Sequence, residues 1–582
     1  MTRTKAFILA LLAVSLLNII FLYKQDKSPP NPTQNLFTPL EDRKDSLYKF
    51  TNPVIANYLL SKLDIFEVIQ EDEIPNANYK DSSSGFKVKN NYCAQHRTIF
   101  VNNPALIFKE KNFITNYPST HNLRKMVIPA LGGIDLHPNQ PSQKSIQAQQ
   151  QLMIMSLDAN IFYNQNSFYM TKQLGKQFSC LSQASNHIPG SQILVKKDLF
   201  ARALANYFKQ YPHCLASERR FFLKTWLLNN KEQCLDFFKE INSAEYKAAR
   251  TNGKAIFTRR LMNNISSGEG IFLVNNHEEE HLRAFYRNGD GCGEIKEKNL
   301  IQERVQNPLL IDKRFIEIKA FMLIASTNPV LAYYHDGYVR ISLLEYDENE
   351  AKEFAWIGSI DKIRKQWEGT KYNRMGQLEI MEYFTWDLKT LKTYLVKKKM
   401  IKEEGKYEDW VQEYLKPQMK KAMIHLIRMS QGEFFKRSSV FELFDVDFTL
   451  DEDLNVWFIE ANANPLINGF TKGTMELMNQ MLEDGFEIIF GLIRSRMKRV
   501  LGYVNNLQKI AEREDGIVIP ELEKRREEFR ELSMNRFEDE FIPNFASGFE
   551  RIIDESAAIG SGSGPGPSKA KVYINYLESE CL

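Results

Sequence analysis

Three polar side chains interrupt an otherwise apolar stretch at residues 441–465. Asp447 lies in one predicted strand, Glu460 and Asn462 lie in the next, and the turn residues 451–455 separate them. A carboxylate in a buried strand is unfavourable unless it meets a cation or a donor, and all three side chains offer the oxygen ligands that Mg²⁺ prefers. The pattern predicts a β-hairpin that carries a magnesium site, although an ordinary hairpin with solvated carboxylates would contain the same residues.

A second candidate for chemistry is the loop at residues 266–270, Ser-Ser-Gly-Glu-Gly, between two predicted strands. Small residues such as Gly268 and Gly270 let a backbone close over phosphate groups. A tight β-hairpin turn uses the same residue types. The motif alone therefore leaves a phosphate loop and an ordinary hairpin open, and the hairpin is the simpler interpretation.

Composition narrows the class of protein. The chain has 582 residues, which predicts several domains, and 43% of them are hydrophobic, which is ample for a large core. The net charge of +3 is close to balance, so we expect no nucleic-acid partner. The cysteines lie at positions 93, 180, 214, 234, 292 and 581. Because no two are closely spaced, the sequence predicts neither a zinc site nor a disulfide scaffold and favours a reducing compartment.

The N-terminus contains an uncharged apolar run at residues 6–23. As a helix it would span roughly 27 Å, which is just enough for a bilayer core. We therefore predict a membrane anchor at residues 1–27, with the membrane as a partner through residues 6–23. A cleaved secretory signal is the alternative, but no small-x-small site follows the run. The first acidic residue is Asp26, so a mitochondrial address is also compatible.

The sequence further predicts on which side of the membrane the main domain lies. Its one N-x-S/T sequon, Asn264-Ile265-Ser266, falls in the candidate phosphate loop, where a glycan would block closure. Together with the cysteine spacing, this favours the cytoplasmic face or a mitochondrial membrane over the secretory lumen.

The rest of the chain divides by composition. A proline-rich linker at residues 28–40 precedes a region of unassigned function at 41–180, and the main domain covers 181–500. A charged helical extension at 501–557 and a Gly/Ser/Pro linker with a short tail at 558–582 follow. The strand and helix patterns predict an α+β fold with mixed or antiparallel sheets and flanking helices.

Residues from about 180 to 500 resemble the tubulin tyrosine ligase-like family. The similarity lies in the ordered segments NHIPGS, LKTWLL, SGEGIFLV, IQERVQNPLLI, YYHDGYVRIS and FELFDVDFTLDEDLNVWFIEANANP. The resemblance implies an ATP-grasp-like domain and an ATP-dependent ligase with ATP and Mg²⁺ as cofactors. In that reaction a carboxylate is phosphorylated, and an amino acid's amine displaces the phosphate to form an amide or isopeptide bond.

The resemblance also assigns roles by position. The implied metal ligands are Asp447, Glu460 and Asn462. The implied catalytic residues are Arg340, Lys319 and Glu317. The implied nucleotide-binding residues are Lys197, Arg260, Gln302, Gly268 and Gly270.

Several positions depart from the family's pattern. Glu303 stands where a nucleotide-contacting lysine is expected, and its charge should repel a triphosphate. Phe315 replaces another lysine, which is lost or shifted to Arg314. Lys319 replaces an arginine and lacks its bidentate grip, and Ser359 replaces an asparagine.

These residues support two hypotheses of different class. The first is an active, membrane-tethered ligase that acts on a tubulin tail or another protein acceptor. The second is a catalytically inactive pseudo-ligase that serves as a structural subunit of a membrane protein complex, a mitochondrial one included. Ligation of some other carboxylate and amine stays open as a third hypothesis.

Overall fold

The computed structural model describes residues 48–63, 92–115, 122–136, 156–164, 180–211, 221–250, 255–261, 271–350, 371–402, 409–467, 469, 471–513, 525–544 and 548–556. The chain divides into two compact units, Met1–Lys49 and Phe50–Leu582, and the elements below belong to the second.

The strands are β1 (Asn112–Thr115), β2 (Ile134–Asp135), β3 (Ile161–Tyr163), β4 (Ala184–Asn186), β5 (Thr225–Leu227), β6 (Phe257–Leu261), β7 (Ile271–Leu273), β8 (Asn299–Glu303), β9 (Leu310–Ile311), β10 (Arg314–Thr327), β11 (Val330–Ile341), β12 (Thr385–Trp386), β13 (Val440–Leu450), β14 (Val456–Asn462) and β15 (Phe549–Asp554). The helices are α1 (Pro53–Lys62), α2 (Tyr92–Asn102), α3 (Ala105–Phe108), α4 (Ile128–Ala130), α5 (Gln192–Val195), α6 (Lys197–Gln210), α7 (Lys231–Asn242), α8 (Ala244–Ala249), α9 (Asn276–Phe285), α10 (Gln377–Tyr383), α11 (Leu388–Lys397), α12 (Lys416–Ser430), α13 (Lys472–Arg513) and α14 (Arg526–Ser533). Short π-helical turns at Leu123–Val127 and Val411–Leu415 and 3₁₀ turns at Arg287–Gly289, Lys371–Arg374 and Asp539–Phe541 complete the described helical segments.

Two sheets organise the described part of the chain. The larger has the order β12-β11-β10-β13-β4-β3-β1-β2, with β14 also paired to β13, β15 to β11 and β9 to β10. Strands β10, β11, β13 and β14 pair antiparallel, whereas β4, β3, β1 and β2 extend the sheet in parallel from β13. The smaller sheet is antiparallel with the order β5-β8-β6-β7. The predicted α+β class with mixed sheets is therefore confirmed.

Strand β10 separates the core from the site. Its residues Ile318 and Met322 point into the largest hydrophobic cluster, beside helix α12. Because side chains alternate along a strand, Lys319 and Leu323 point to the opposite face. Leu323 lies in an apolar patch with Phe486 of α13. Helix α13 therefore covers the end of this face of β10 that contains Leu323, and Lys319 lies toward its other, polar end.

The structure bears on two predictions about the ends of the chain. No helix among the residues described is long and apolar enough to cross a membrane, and the run at 6–23 lies outside those residues, so the predicted transmembrane helix has no structural support. The predicted boundary at residue 500 falls inside α13, and the extension at 501–557 is not purely helical, because β15 joins the large sheet by pairing with β11. Its buried Phe549, Ile552 and Ile553 explain that pairing.

Candidate active site

The hairpin β13–β14 brings the predicted metal ligands onto one face. Asp447 pairs directly with Glu460, and Asp445 pairs with Asn462. Directly paired residues of antiparallel strands point to the same side of the sheet, so all four side chains share one face. Sequence reasoning missed Asp445, although its position two residues before Asp447 on the same strand was a usable signal.

A β-bulge sets the direction of these side chains. Phe448 pairs with Phe458, yet the adjacent Asp447 pairs with Glu460, so Ile459 is an extra residue in β14. The phenylalanines pack into the core, while Glu460 is turned toward the polar face. Bulges commonly re-aim a side chain beside an active site.

Lys319 of β10 holds the two aspartates together. Its Nζ lies 2.8 Å from Asp445 Oδ2 and 2.6 Å from Asp447 Oδ1, and its side chain is 7% exposed. Burial lowers the pKa of Lys319, but Asp447 and Asp445 outweigh that effect and hold the pKa above its usual value. Burial raises the pKa of Asp445, whose Oδ1 accepts no hydrogen bond within the described part of the chain.

Arg340 and Glu317 form the neighbouring buried ion pair. They face each other across β11 and β10 and are hydrogen-bonded through their side chains. Arg340 Nη2 also lies 3.9 Å from Asp447 Oδ2. Burial raises the pKa of Glu317 to about 8, against the opposing effect of Arg340. Burial lowers the pKa of Arg340, but Glu317 and Asp447 outweigh it, so the guanidinium stays charged.

A small cleft adjoins this polar face. It lies between β5 and β8 of the smaller sheet, helices α5 and α6, and strand β14. Its lining residues are Leu194, Val195, Lys197, Phe200, Thr225, Leu300, Gln302, Phe458, Ile459 and Glu460. The apolar members suit a flat ring and the polar members suit charged groups, which is the usual composition of a ligand cleft.

Lys197 links the cleft to the hairpin. It opens helix α6, which is anchored by Phe200, Leu204 and Tyr207 at helical spacing. Its Nζ lies 2.8 Å from Glu460 Oε2, and Lys197 is the main reason that the pKa of Glu460 falls to about 2. Glu460 therefore stays ionised at any physiological pH.

The other predicted nucleotide-binding residues are partly in place. Gln302 lines the cleft and donates a hydrogen bond to Thr225 Oγ1. Arg260 pairs directly with the cleft residue Leu300 and so points to the same side. Burial lowers the pKa of Arg260 and Glu460 opposes that shift, which indicates that the two charges are close. Gly268 and Gly270 lie outside the described residues, although the strands on either side of their loop, β6 and β7, do form an antiparallel pair.

Two sequence-based expectations about the cleft are wrong. Glu303 pairs with the core residue Phe257, on the side of β8 opposite to Gln302, and accepts a hydrogen bond from the Lys224 backbone N–H. It therefore does not oppose a triphosphate in the cleft. The missing lysine has not shifted to Arg314, whose guanidinium hydrogen-bonds the Leu343 carbonyl.

Phe315, in contrast, lies on the same side of β10 as Glu317 and stacks on Tyr346 with ring centroids 6.2 Å apart. An apolar ring thus occupies the position where the resemblance implied a cation. Ser359 lies outside the described residues.

The expectation that the cysteines form no disulfide bonds is also wrong. Cys93 is bonded to Cys180 and Cys234 is bonded to Cys292, with Cα atoms 5.6 Å and 5.7 Å apart. The bonded cysteines are 87 and 58 residues apart in the sequence. Cysteine spacing did not predict these pairs, because only the tertiary fold brings the partners together.

Comparison with known proteins completes the description. Residues 176–499 match the tubulin-tyrosine ligase family. The inactive polyglycylase TTLL10 of Homo sapiens is 25% identical over 332 residues, which cover 55% of this chain and 46% of that protein. The protein polyglycylase TTLL10 of Macaca fascicularis is 26% identical over 302 residues, which cover 50% of this chain and 46% of that protein.

Tubulin glycylase 3A of Drosophila melanogaster is 28% identical over 195 residues, which cover 33% of this chain and 18% of that protein. The chain thus spans less than half of the length of each of these curated relatives.

Among solved structures, the C-terminal domain of K. lactis Pby1, described as an ATP-grasp enzyme, aligns with 66% of this chain and 94% of that one. The identity is 15% and the TM-score is 0.38. At that TM-score the likeness supports no conclusion about function. The match to the family extends over more than half of the sequence, and the chain therefore belongs to the tubulin-tyrosine ligase family.

Proposed function

We propose that this chain is an ATP-dependent carboxylate–amine ligase with an ATP-grasp nucleotide site in the cleft. The observation that carries the proposal is the shared face of Asp445, Asp447, Glu460 and Asn462 beside a cleft that contains Lys197. Oxygen ligands for Mg²⁺ and a cation for phosphate are thereby placed next to each other.

The donor set fits Mg²⁺ with a nucleotide better than a metal alone. Within the described residues, no three His, Cys, Asp or Glu side chains are grouped to hold a metal ion. Mg²⁺ usually takes only one or two carboxylates from the protein and completes its shell with phosphate oxygens and water. The buried Asp445 Oδ1, which lacks a hydrogen bond in the described structure, fits a site that gains a cation on ligand binding. The ligands would be Asp447, Glu460 and Asn462.

Bound MgATP would supply the phosphoryl group that activates a substrate carboxylate and the cation that offsets the phosphate charge. Lys197 and Arg260 are placed to contact phosphate oxygens, and Gln302 offers an amide to the base. Arg340, oriented by Glu317, is placed to donate hydrogen bonds to the carboxylate that is activated. Glu317, with a pKa of about 8, is suited to take a proton at a carboxylate oxygen from the attacking amine.

A second candidate function is a catalytically inactive member that keeps the fold as a binding module. The observation in its favour is Phe315, which is 4% exposed and puts an aromatic ring where the family resemblance implied a lysine. The relatives' names include both a polyglycylase and an inactive polyglycylase, so both candidates have a precedent by name. Those names also make glycine the first donor to test and, through the Drosophila tubulin glycylase, tubulin the first acceptor.

The test is an ATP-coupled ligation assay on the full-length protein. Purified protein, MgATP and radiolabelled glycine or glutamate are incubated with tubulin or with a total extract of cell protein, in separate reactions, and both ADP and protein-bound label are measured. We expect label and ADP to appear together and Asp447→Asn to abolish both. Asp453→Asn in the exposed turn of the same hairpin is the matched control. Nucleotide binding without ADP formation, with either donor, would favour the inactive candidate.

A further inference from the structure

The described cysteines are all paired, and the two bridges lie in different parts of the fold. Cys93 of α2 joins Cys180, which precedes β4 of the large sheet. Cys234 of α7 joins Cys292, in the turn that follows α9 beside the smaller sheet. The two bridges share no residue and no helix or strand. One pair of cysteines brought together by chance in the fold would therefore not explain both bridges.

The first bridge is buried within the described part of the chain. Cys93 is 4% exposed and Cys180 is 1% exposed. One helical turn after Cys93, the buried His96 has its Nε2 2.6 Å from Ser182 Oγ and its Nδ1 2.6 Å from the Leu157 carbonyl. The helix is thus tied to the same segment by covalent and hydrogen bonds, which is the arrangement of a structural bridge.

The second bridge is part of a hydrophobic core. Cys234 is completely buried and Cys292 is 5% exposed, and both belong to the cluster that contains Phe237, Phe238 and Tyr286. A thiol must be accessible as the thiolate to exchange with a disulfide. These sulfurs are inaccessible, so the geometry suits permanent bridges rather than reversible redox sensing.

Permanent structural disulfides persist in oxidising compartments and are rare where glutathione and thioredoxin keep thiols reduced. Each bridge forms when two thiols give two electrons and two protons to a disulfide-bearing oxidant, which the secretory pathway supplies. The uncharged run at residues 6–23, with Arg3 and Lys5 before it, has the composition of a secretory signal or signal anchor.

We infer that this chain folds in the secretory pathway and acts on proteins there, which requires that the Asn264 sequon in the candidate phosphate loop stays unglycosylated. Its acceptor is then a carboxylate of a secreted or lumenal protein rather than the tail of cytosolic tubulin. The statement about the acceptor rests on the proposed ligase function, whereas the statement about the compartment does not.

Thiol trapping tests the compartment without any ligase assay. The full-length chain is produced in eukaryotic cells, free thiols are blocked with N-ethylmaleimide before lysis, and unreduced peptides are mapped by mass spectrometry. We expect the peptide pairs 93–180 and 234–292 to be recovered linked. If these four cysteines are instead recovered with N-ethylmaleimide attached, they were free thiols in the cell, and the inference is overturned.

An added glycosylation site tests the same inference through topology. Asn288 and Asp290 are exposed in the turn after α9, and Asp290→Thr completes an N-x-T sequon at Asn288. Asp290→Ala is the matched control without a sequon. We expect an endoglycosidase-sensitive gain in mass in Asp290→Thr alone, beyond any glycan on the unmodified chain. Linked cysteines without this gain would place the chain in another oxidising compartment and overturn the secretory assignment.

The acceptor is tested separately with the same cells. Membranes opened with mild detergent receive MgATP and labelled glycine, and labelled proteins are sorted by endoglycosidase sensitivity and by a tubulin antibody. Label in glycoproteins supports the lumenal acceptor, and label in tubulin overturns it. If the disulfide bridges and the added glycan are found but no ADP forms, the secretory location stands and the ligase function is refuted. A failure of the ligase proposal can therefore be told apart from a failure of the proposed location.

Discussion

Two acidic clusters on strand β13 differ in how completely their charges are satisfied. Glu442 is 1% exposed, and its oxygens lie 2.6 Å from His187 Nδ1 and 2.6 Å from the Ile188 backbone N–H. Asp445 lies three residues later on the opposite face, and it shares Lys319 with a second aspartate. Its Oδ1 accepts no hydrogen bond within the described structure.

The difference separates a structural carboxylate from carboxylates available to a ligand. A buried carboxylate whose two oxygens both have hydrogen-bond partners fixes a backbone segment. Two aspartates held by one ammonium retain acceptor capacity toward a second cation, which under the proposed function is Mg²⁺. We call these regions the Glu442 lock (Glu442, His187, Ile188) and the Lys319 cluster (Lys319, Asp445, Asp447).

The largest expected effect comes from removing the shared cation of the Lys319 cluster. Lys319→Met leaves two buried aspartates facing each other, and losing one partner of a buried ion pair costs about 3–5 kcal/mol. We expect the free energy of unfolding in denaturant to fall by that amount. The matched control is Lys472→Met, whose exposed pair with Glu476 should be worth at most about 1 kcal/mol. Equal losses of unfolding free energy in both variants would show that the buried ion pairs of Lys319 stabilise the fold no more than an exposed ion pair does.

Breaking the Glu442 lock should cost less. Glu442→Gln keeps an acceptor for the Ile188 N–H but loses the charged partner of His187, for about 1–3 kcal/mol. We expect lower unfolding free energy together with unchanged MgATP affinity. A stability loss accompanied by an equal loss of MgATP binding would contradict the separation of the two regions.

The Glu442 lock should also give stability a pH dependence. Burial lowers the pKa of His187, but the charge of Glu442 outweighs burial and raises it above its usual value. A raised folded-state pKa means that this contribution is complete below the unfolded pKa of about 6.5 and is lost as pH rises through the folded value. Unfolding free energies measured from pH 6 to pH 9 should therefore fall more steeply in the wild type than in His187→Gln. Parallel curves would show that His187 does not titrate against Glu442.

The smallest effect is expected at Glu303, because its carboxylate lies on the far side of β8 from the cleft. Glu303→Gln removes a charge from that side alone, so we expect the Kd for MgATP to stay within about twofold, as measured by calorimetry. A several-fold tighter Kd would show that the carboxylate does act on the phosphates.

The sequence was sufficient for local features and insufficient for orientation across the fold. Alternating apolar residues around Asp447 predicted the hairpin, and the family resemblance singled out Lys197, Gln302 and Glu460, which line the cleft. Whether Glu303 faces the ligand depends on the register of β8 against β6, which a single sequence does not encode locally. The satisfied Glu442 and the unsatisfied Asp445 look alike in sequence, because their partners come from residues more than 120 positions away. The disulfides were hidden for the same reason.

The most direct test of the central claim compares MgATP binding by Asp447→Asn and Glu442→Gln. Both substitutions replace a buried carboxylate of β13 with its amide, and circular dichroism verifies that each variant is folded before calorimetric titration with MgATP. The account predicts that Asp447→Asn weakens MgATP binding about tenfold or more and that Glu442→Gln leaves it within about threefold of the wild type. Wild-type affinity in Asp447→Asn, or equal losses in the two variants, would contradict the assignment of Asp447 as a ligand of the nucleotide-bound metal ion.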